Sequence, residues 1–422
     1  MSKIFRPASL TLSLFFLACS AVDLMAVPSL KLSPLPLTVE ELRFEKFQNA
    51  HPDVANRYSD IVGRTKDALS KATDFSVLNQ TLSEAGQELW EAAKRTVAVE
   101  KDLDDRSLYW SRLALTAHLR SSYFALHLSS AQRIDLIETL ENSSRGRLSI
   151  AYSAGTNSTG TNSTGTMKKI LLTGFDPFLL DSNIDQSNPS GVVALNLDGK
   201  ILTYQRTKAQ IQTVIFPVRF EDFDAGELES LLEPLIRRNQ IDMVVTVSMG
   251  RTDFDLEHFP GRRRSSSAPD NLNIHSGGTE KQPRIPLLEG SPIEGAEFVE
   301  FSLPYRAMRQ VMLDAQQDAS EEEGRFAYPY LINDNRTITT LDGTLKAETL
   351  AELKDATAVR GSGGGYLSNE ISYRSVRLAR KYHPHIPTGH IHTPRIESYD
   401  ARKLAIISDQ VTEMLRYSII EL

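Results

Sequence analysis

The chain carries a single cysteine, Cys19, no surplus of basic residues, and no apolar run after its N-terminal segment long enough to cross a membrane. With one cysteine there is no intramolecular disulfide framework, and because Cys19 lies so near the start, the rest of the chain has no cysteine nucleophile. Lys and Arg number 47 against 54 Asp and Glu, a formal net charge of -7, so no basic field attracts a phosphate backbone and nucleic acid is not an expected partner. The one arginine cluster, Arg262 to Arg264, is followed by Ser265 to Ser267 in what reads as a loop. A transmembrane helix needs about 20 apolar residues, and nothing beyond the first segment supplies them.

The 422 residues that are present exceed one ordinary core and predict two domains. Lys3 and Arg6 followed by the apolar run Leu10 to Ala18 predict a signal peptide over residues 1–26, with cleavage after Ala21 or Ala26 and a periplasmic or secreted product. Phe16-Leu17-Ala18-Cys19 is a marginal version of a lipoprotein processing site, so lipidation at Cys19 is the one expected route to a membrane. Pro28 to Pro36 reads as a spacer, and Thr38-Val-Glu-Glu41 has the hydroxyl-to-carboxylate spacing of a helix capping box. Beyond it, Ala85, Leu89, Trp90 and Ala93, then Leu108, Leu115 and Leu119, recur at helical spacing, and Ala131 to Leu140 adds another amphipathic helix. A small all-α domain over residues 37–150 is predicted, its Trp and Tyr residues packed in a core without convergent polar company.

Residues 151–167 repeat Gly-Thr-Asn-Ser-Thr, the composition of a linker. Asn157 and Asn162 there, and Asn79, Asn142 and Asn335 elsewhere, satisfy the N-glycosylation pattern. Residues 168–422 then change to α/β. Lys169 to Thr173, Gln212 to Pro217 and Met243 to Val247 are short apolar runs of the buried-strand type, and helices are predicted over Ser190 to Leu197 and Phe223 to Asn239. Alternating strands and helices predict a mostly parallel sheet flanked by helices on both faces, with functional loops at the strands' carboxyl ends.

Three segments at such ends carry candidate chemistry. They are Thr173 to Phe178, Ser248 to Arg251 leading to Glu257, and Gly361-Ser-Gly-Gly-Gly-Tyr-Leu-Ser-Asn369 before a helix. A glycine-rich approach brings backbone close to a substrate, and a nucleophile at a helix N-terminus has unpaired N–H groups and a positive dipole end with which to hold an oxyanion. Ile386 to Pro394 reads as a short strand that puts His390 and His392 on one face. The histidines 383, 385, 390 and 392 match no zinc spacing and are interrupted by Pro384 and Pro387, so no metal is expected. The glycine run is not a dinucleotide fingerprint, and there is no G-x-S-x-G elbow.

Several of these segments together resemble pyroglutamyl peptidase I, the pyrrolidone-carboxylate peptidases. Leu171-Leu-Thr-Gly-Phe-Asp-Pro-Phe178, Asn188-Pro-Ser190, Gly250-Arg251 with Glu257, Arg284-Ile-Pro286 with Glu289-Gly290, Leu303-Pro304 with Ala307-Met308, Gly365-Tyr-Leu-Ser-Asn369 and His390-Ile-His-Thr-Pro394 are similar to that family's motifs in order. The resemblance covers most of residues 168 to 400 and none of the helical region. It implies an α/β fold of the phosphorylase/hydrolase-like kind, a catalytic set of Glu257, Ser368 and His392, and an N-terminal pyroglutamate or another small acyl or amide group as substrate. It also implies no cofactor, no metal, and a tendency to form an oligomer. Phe175, Phe178 and Asn188 match the loop that holds the flat lactam ring. Two departures stand out. Ser368 occupies the position of the family's cysteine, and Val247-Ser-Met-Gly-Arg251 stands where the family often has Gln-Ala-Gly-Gly-Arg. The first changes the chemistry from a readily ionised thiol to a hydroxyl that must lose its proton during attack. The second removes an amide beside the ring pocket. The alternatives are a family member that binds a peptide or ligand without turnover, and a serine amidohydrolase on another small acyl substrate.

Overall fold

A computed structural model describes residues 35–121, 128–152, 167–312 and 329–422. The expected signal peptide, Cys19, and the linker asparagines Asn157 and Asn162 lie outside the described residues. The helical region begins where the capping box predicts: Thr38 caps Val39–Leu42, and the Thr38 and Glu41 side chains exchange hydrogen bonds with each other's backbone N–H. Ser59–Lys71, Phe75–Lys94, Arg106–Arg120 and Ser130–Ser144 follow as its main helices.

In chain order the strands are β1 (Lys168–Phe175), β2 (Ile201–Tyr204), β3 (Thr207–Phe216), β4 (Met243–Met249), β5 (Phe254–Glu257), β6 (Leu287–Leu288), β7 (Ser291–Pro292), β8 (Ile332–Asn335), β9 (Thr337–Thr340), β10 (Gly343–Lys346), β11 (Ala358–Arg360) and β12 (Thr388–Thr393). Seven of them form one sheet in the order β2-β3-β1-β4-β12-β5-β8. The middle four, β3, β1, β4 and β12, are parallel. Edge strand β2 runs antiparallel to β3, and β5 runs antiparallel to β12 with β8 parallel beside it. Every residue of β4 is buried, as expected of a parallel strand covered on both faces.

Alternate residues of the strands feed opposite faces. Ile170, Leu172 and Val245 pack with Val192 and Leu195 of the helix Pro189–Leu197 and with Ile407 and Val411 of the helix Ala401–Ser418. Leu171, Val214 and Val244 face the other way, onto Leu228 and Leu232 of Glu227–Arg237 and Ile371 and Leu378 of Leu367–Tyr382. The helix expected over Phe223 to Asn239 is instead two, Phe220–Asp224 and Glu227–Arg237. Gly226 between them adopts φ +82°, a left-handed conformation that breaks the helical path and that only glycine takes without strain.

The helical region shares its core with the sheet. Leu82, Leu89, Trp90, Val97 and Leu140 lie in the same apolar cluster as Ile170 and Leu172. The Trp90 indole N–H also donates to Asp198 at 3.3 Å. Leu89 is fully buried there, so Leu89→Ala should cost about 2 to 5 kcal/mol by lost transfer energy and cavity formation. Because the core is continuous, calorimetry should show one transition for both regions, lowered as a whole by the substitution. Two transitions, with only one displaced, would contradict this reading.

Candidate active site

The carboxyl ends of β4 and β12, the strand β5 that runs antiparallel beside β12, the glycine loop after β11 and the start of the helix Leu367–Tyr382 meet at one place. His392 pairs with Asp255 across the β12–β5 register, and Glu257, two residues further along β5, reaches it diagonally. Its Nδ1 is 2.6 Å from Glu257 Oε1, with the two residues 7% and 1% exposed. Nδ1 is therefore committed to the carboxylate, and Nε2 is the nitrogen left to exchange a proton.

A buried carboxylate needs donors on both oxygens. The second oxygen of Glu257 accepts from Asn335 Nδ2 at 3.0 Å, and the same amide donates to the Ser362 carbonyl at 2.9 Å. Asn335 faces Glu257 across the β5–β8 register, which puts to structural use an asparagine that the sequence marks only as a glycosylation sequon. Ser362 in turn accepts from the N–H groups of His258 and Phe259 through its hydroxyl, pinning the glycine loop to the end of β5. Two glycines flank the imidazole for lack of room: a Cβ on Gly250 would lie 2.6 Å from His392 Cβ, and one on Gly363 would lie 3.2 Å from His392 Cε1.

Ser368 is the second residue of its helix, whose N-terminus has no side-chain cap. Backbone N–H groups in that first turn have no partner within the helix and sit at its positive end. The Ser368 hydroxyl donates to the Gly363 carbonyl at 3.2 Å and makes no hydrogen bond to His392. Behind it, Glu370 is buried between Arg264 and Arg374, with contacts of 2.5 and 2.8 Å. Burial would push this carboxyl up, but the two guanidiniums hold it below its ordinary range. The arginine cluster is engaged within the fold: buried Arg264 grips the helix Leu367–Tyr382, while the half-buried Arg263 pairs with Glu297 and Arg262 donates to the Ile293 carbonyl.

Phe175, Phe178 and Asn188 line a small open cleft together with Val218, Ser248, Met249, Tyr366, Leu367 and Ser368. Phe178 stacks on Tyr366 with centroids 6.5 Å apart, while Phe175 also reaches into the core toward Phe223. The polar side chains of the wall are turned to other work. Asn188 donates to the Asp176 carbonyl and caps Ser190, and Ser248 Oγ lies 2.8 Å from His390 Nε2. The walls are therefore mostly apolar, suited to a small flat group, with Ser368 at one end.

His390 shares its face of β12 with His392 and has a different role. It is fully buried, with Nδ1 2.7 Å from Thr246 Oγ1 and Nε2 bonded to Ser248. Thr246 donates to the Gly389 carbonyl, which leaves its oxygen to accept from Nδ1–H and makes Nε2 the acceptor of the Ser248 hydroxyl. Sequence reasoning also missed a polar set from the helical region. Tyr109 donates to Glu40, and Arg112 and Arg145 both reach Asp176 at 2.6 Å. The signal was the charged residues on otherwise apolar helix faces, such as Arg112 among Leu108, Trp110 and Leu115.

Comparison with known proteins finds similarity over both the helical and the α/β regions. A family model described as the C-terminal domain of PA0049 matches residues 169–299 and 333–397, and one described as the N-terminal domain of PA0049 matches residues 27–141. An uncharacterized protein of Pseudomonas aeruginosa, PA0049, is 26% identical over 91% of this chain and 82% of its own length. A pyrrolidone-carboxylate peptidase of Lactobacillus acidophilus is 24% identical over 54% of this chain and 85% of its own. Among solved structures, a mutant pyrrolidone carboxyl peptidase of Pyrococcus furiosus aligns with 60% of this chain and 99% of its own at 21% identity and a TM-score of 0.39. The enzyme of Thermococcus litoralis aligns with 60% and 94% at 18% identity and a TM-score of 0.40. At the coarse level the similarity of the α/β region is to peptidase-type hydrolases.

Burial, and then the neighbouring His392, hold His390 well below the usual histidine range. Its unfolded pKa is about 6.5, so below that pH the unfolded chain binds a proton that the native state refuses. The His390 contribution to stability is thus complete above about pH 6.5 and is lost, at up to about 1.4 kcal/mol per pH unit, as the pH falls below it. Urea denaturation between pH 7.5 and 5 should show His390→Asn less stable at the upper end but with a shallower acid slope than the unsubstituted protein. Equal slopes would show that His390 takes up its proton in the native state.

Proposed function

We propose that the chain is an exported, serine-dependent hydrolase of the pyroglutamyl-peptidase type, which removes an N-terminal pyroglutamate or a similarly small acyl group from a peptide. The observation that carries this reading is the buried Glu257–His392 pair standing beside an uncapped helix start that bears Ser368 at the end of an apolar cleft. A binding pocket alone gains nothing from a desolvated carboxylate–imidazole pair, whereas acyl transfer needs a base oriented by a third group.

In this mechanism the flat acyl group lies between Phe178 and the opposite wall, with its carbonyl over the first turn of the nucleophile helix. Ser368 Oγ turns from Gly363 toward His392, attacks the carbonyl carbon, and gives its proton to Nε2. The imidazolium is stabilised by Glu257, and the oxyanion by the free N–H groups of the helix start. Collapse expels the amine of the next residue, which takes the proton from Nε2. Water then attacks the acyl-serine with His392 as base, restoring Ser368 and releasing the acid. A second reading, ligand binding without turnover, is favoured by one observation: the Ser368 hydroxyl is bonded to the Gly363 carbonyl and not to the imidazole.

A fluorogenic pyroglutamyl amide separates the two. Turnover by the protein should fall by at least about 10³-fold in Ser368→Ala and in His392→Ala, since members of a nucleophile–base set act as a unit. It should also resist thiol alkylation, which Ser368→Cys should not. Turnover appearing only in Ser368→Cys supports the binding reading, and its absence from every variant sinks the peptidase proposal.

A further inference from the structure

The loop that carries the two pocket phenylalanines is held from outside the α/β region. After β1 it runs through Asp176, Pro177, Phe178, Leu180 and Asp181, and both of its carboxylates meet arginines of the helical region. Asp176, 3% exposed, accepts from Arg112 and Arg145, both fully buried, at 2.6 Å each. Asp181 takes the guanidinium of Arg43 through both oxygens at 2.7 Å. The Pro177 carbonyl accepts from Asn271, whose own carbonyl accepts from Arg43 at 2.6 Å and whose amide also reaches Glu40. Leu180 sits in a separate apolar cluster with Phe47, Trp110 and Leu113 of the helices.

The second wall segment is tied in the same way. Asp105, at the start of the helix Arg106–Arg120, accepts from the Ser187 hydroxyl at 2.6 Å and from the Asn188 N–H at 3.0 Å. Asn188 then donates to the Asp176 carbonyl at 2.8 Å, closing the circuit between the two pocket segments. None of these helical residues lines the cleft or approaches Ser368, Glu257 or His392. Buried ion pairs contribute little net stability compared with apolar replacements, but they fix geometry because an unpaired charge there is strongly penalised.

We propose that the N-terminal helical region is the positioning element of the pocket: through Arg112 and Arg145 on Asp176, Arg43 on Asp181, and Asp105 on Ser187 and Asn188, it sets the placement of Phe178 and Asn188 and thereby which small acyl group fits. The substrate part of this inference rests on the peptidase reading. The placement part does not. Arg43, Asp105, Arg112 and Arg145 are positioning residues, and their substitution disturbs binding in the cleft more than proton transfer at His392.

The test uses the full chain with Asp176→Asn, Arg43→Ala and Arg43→Lys. Asp176→Asn removes the charge with little change of shape. Arg43→Ala lies at the rim, opposite the mostly exposed Asp181, and keeps the test open if the first variant folds poorly. Amide hydrogen exchange should quicken by about tenfold or more over residues 173–190 in Asp176→Asn and Arg43→Ala, with residues 243–249 of β4 unchanged. With the pyroglutamyl amide, KM should rise by about tenfold while kcat stays within about threefold, and Arg43→Lys should recover part of the KM. If the protein turns over no pyroglutamyl amide, the peptidase reading fails while the exchange measurement still decides the placement. Unchanged exchange over 173–190 in both folded variants, or exchange quickened equally in β4, overturns the proposal, as does a loss confined to kcat.

Discussion

The contact on which the site depends is the hydrogen bond between Glu257 and His392, made where neither group has water to fall back on. A desolvated carboxylate is tolerated only with donors on both oxygens, and this demand explains the local architecture. Strand β5 is laid antiparallel against β12 so that Glu257, two residues beyond the partner of His392, reaches the imidazole diagonally. Strand β8 is then required on the far side of β5, because its Asn335 supplies the second donor. Tyr305 completes the setting by donating to the Glu257 carbonyl at 2.7 Å. Gly250 and Gly363 stand on either side of His392 because a methyl group at either position would press on it.

The remaining buried charges are distributed to hold the two pieces of the cleft that are not in the sheet. Glu370, between Arg264 and Arg374, fixes the helix that begins at Ser368. Asp176, between Arg112 and Arg145, fixes the loop that presents Phe178. Neither cluster touches Ser368, Glu257 or His392, and each lies directly behind an element that lines the cleft. The cost of desolvating such clusters makes them poor devices for stability and good ones for holding a single geometry, which is what a small cleft needs to discriminate among small groups.

How much of this was legible in the sequence follows from which forces act locally. The strands β1, β3 and β4 and the capping box at Thr38 were readable because apolar runs and cap spacing are local signals. The break at Gly226 was not, since a single glycine inside a helical pattern is tolerated as often as it interrupts. The convergence of Ser368, Glu257 and His392 on one place came from the ordered family resemblance, because sequence separation alone says nothing about which strand lies beside which. Asn335 was read as a sequon and the tryptophans and tyrosines of the helical region as plain core. Key polar partners lie more than 60 residues away in sequence, as with Tyr109 and Glu40 or Asn335 and Glu257, and pairings at that range leave no periodic trace.

The hydroxyl at position 368 sharpens what the arrangement demands. A helix start lowers the pKa of a thiol, so a cysteine there would be largely ionised before substrate arrives and would need little from the base. A serine gains no such ionisation from the dipole; its proton must leave in the transition state, and the helix start serves only the oxyanion. In the free protein that proton is shared with the Gly363 carbonyl, part of the same loop that lies against the edge of the His392 ring. In the proposed reaction the imidazole must take this hydrogen bond from the carbonyl, since a hydroxyl donates only one. In that proposed reaction, an acyl group entering the cleft brings its own carbonyl to the helix N–H groups and its carbon against Ser368, a position from which Oγ can attack only after it has released Gly363. The energy for that exchange has to come from burial of the acyl group between the aromatic walls. Serine chemistry at this site therefore couples pocket fit to nucleophile activation more tightly than a thiolate would.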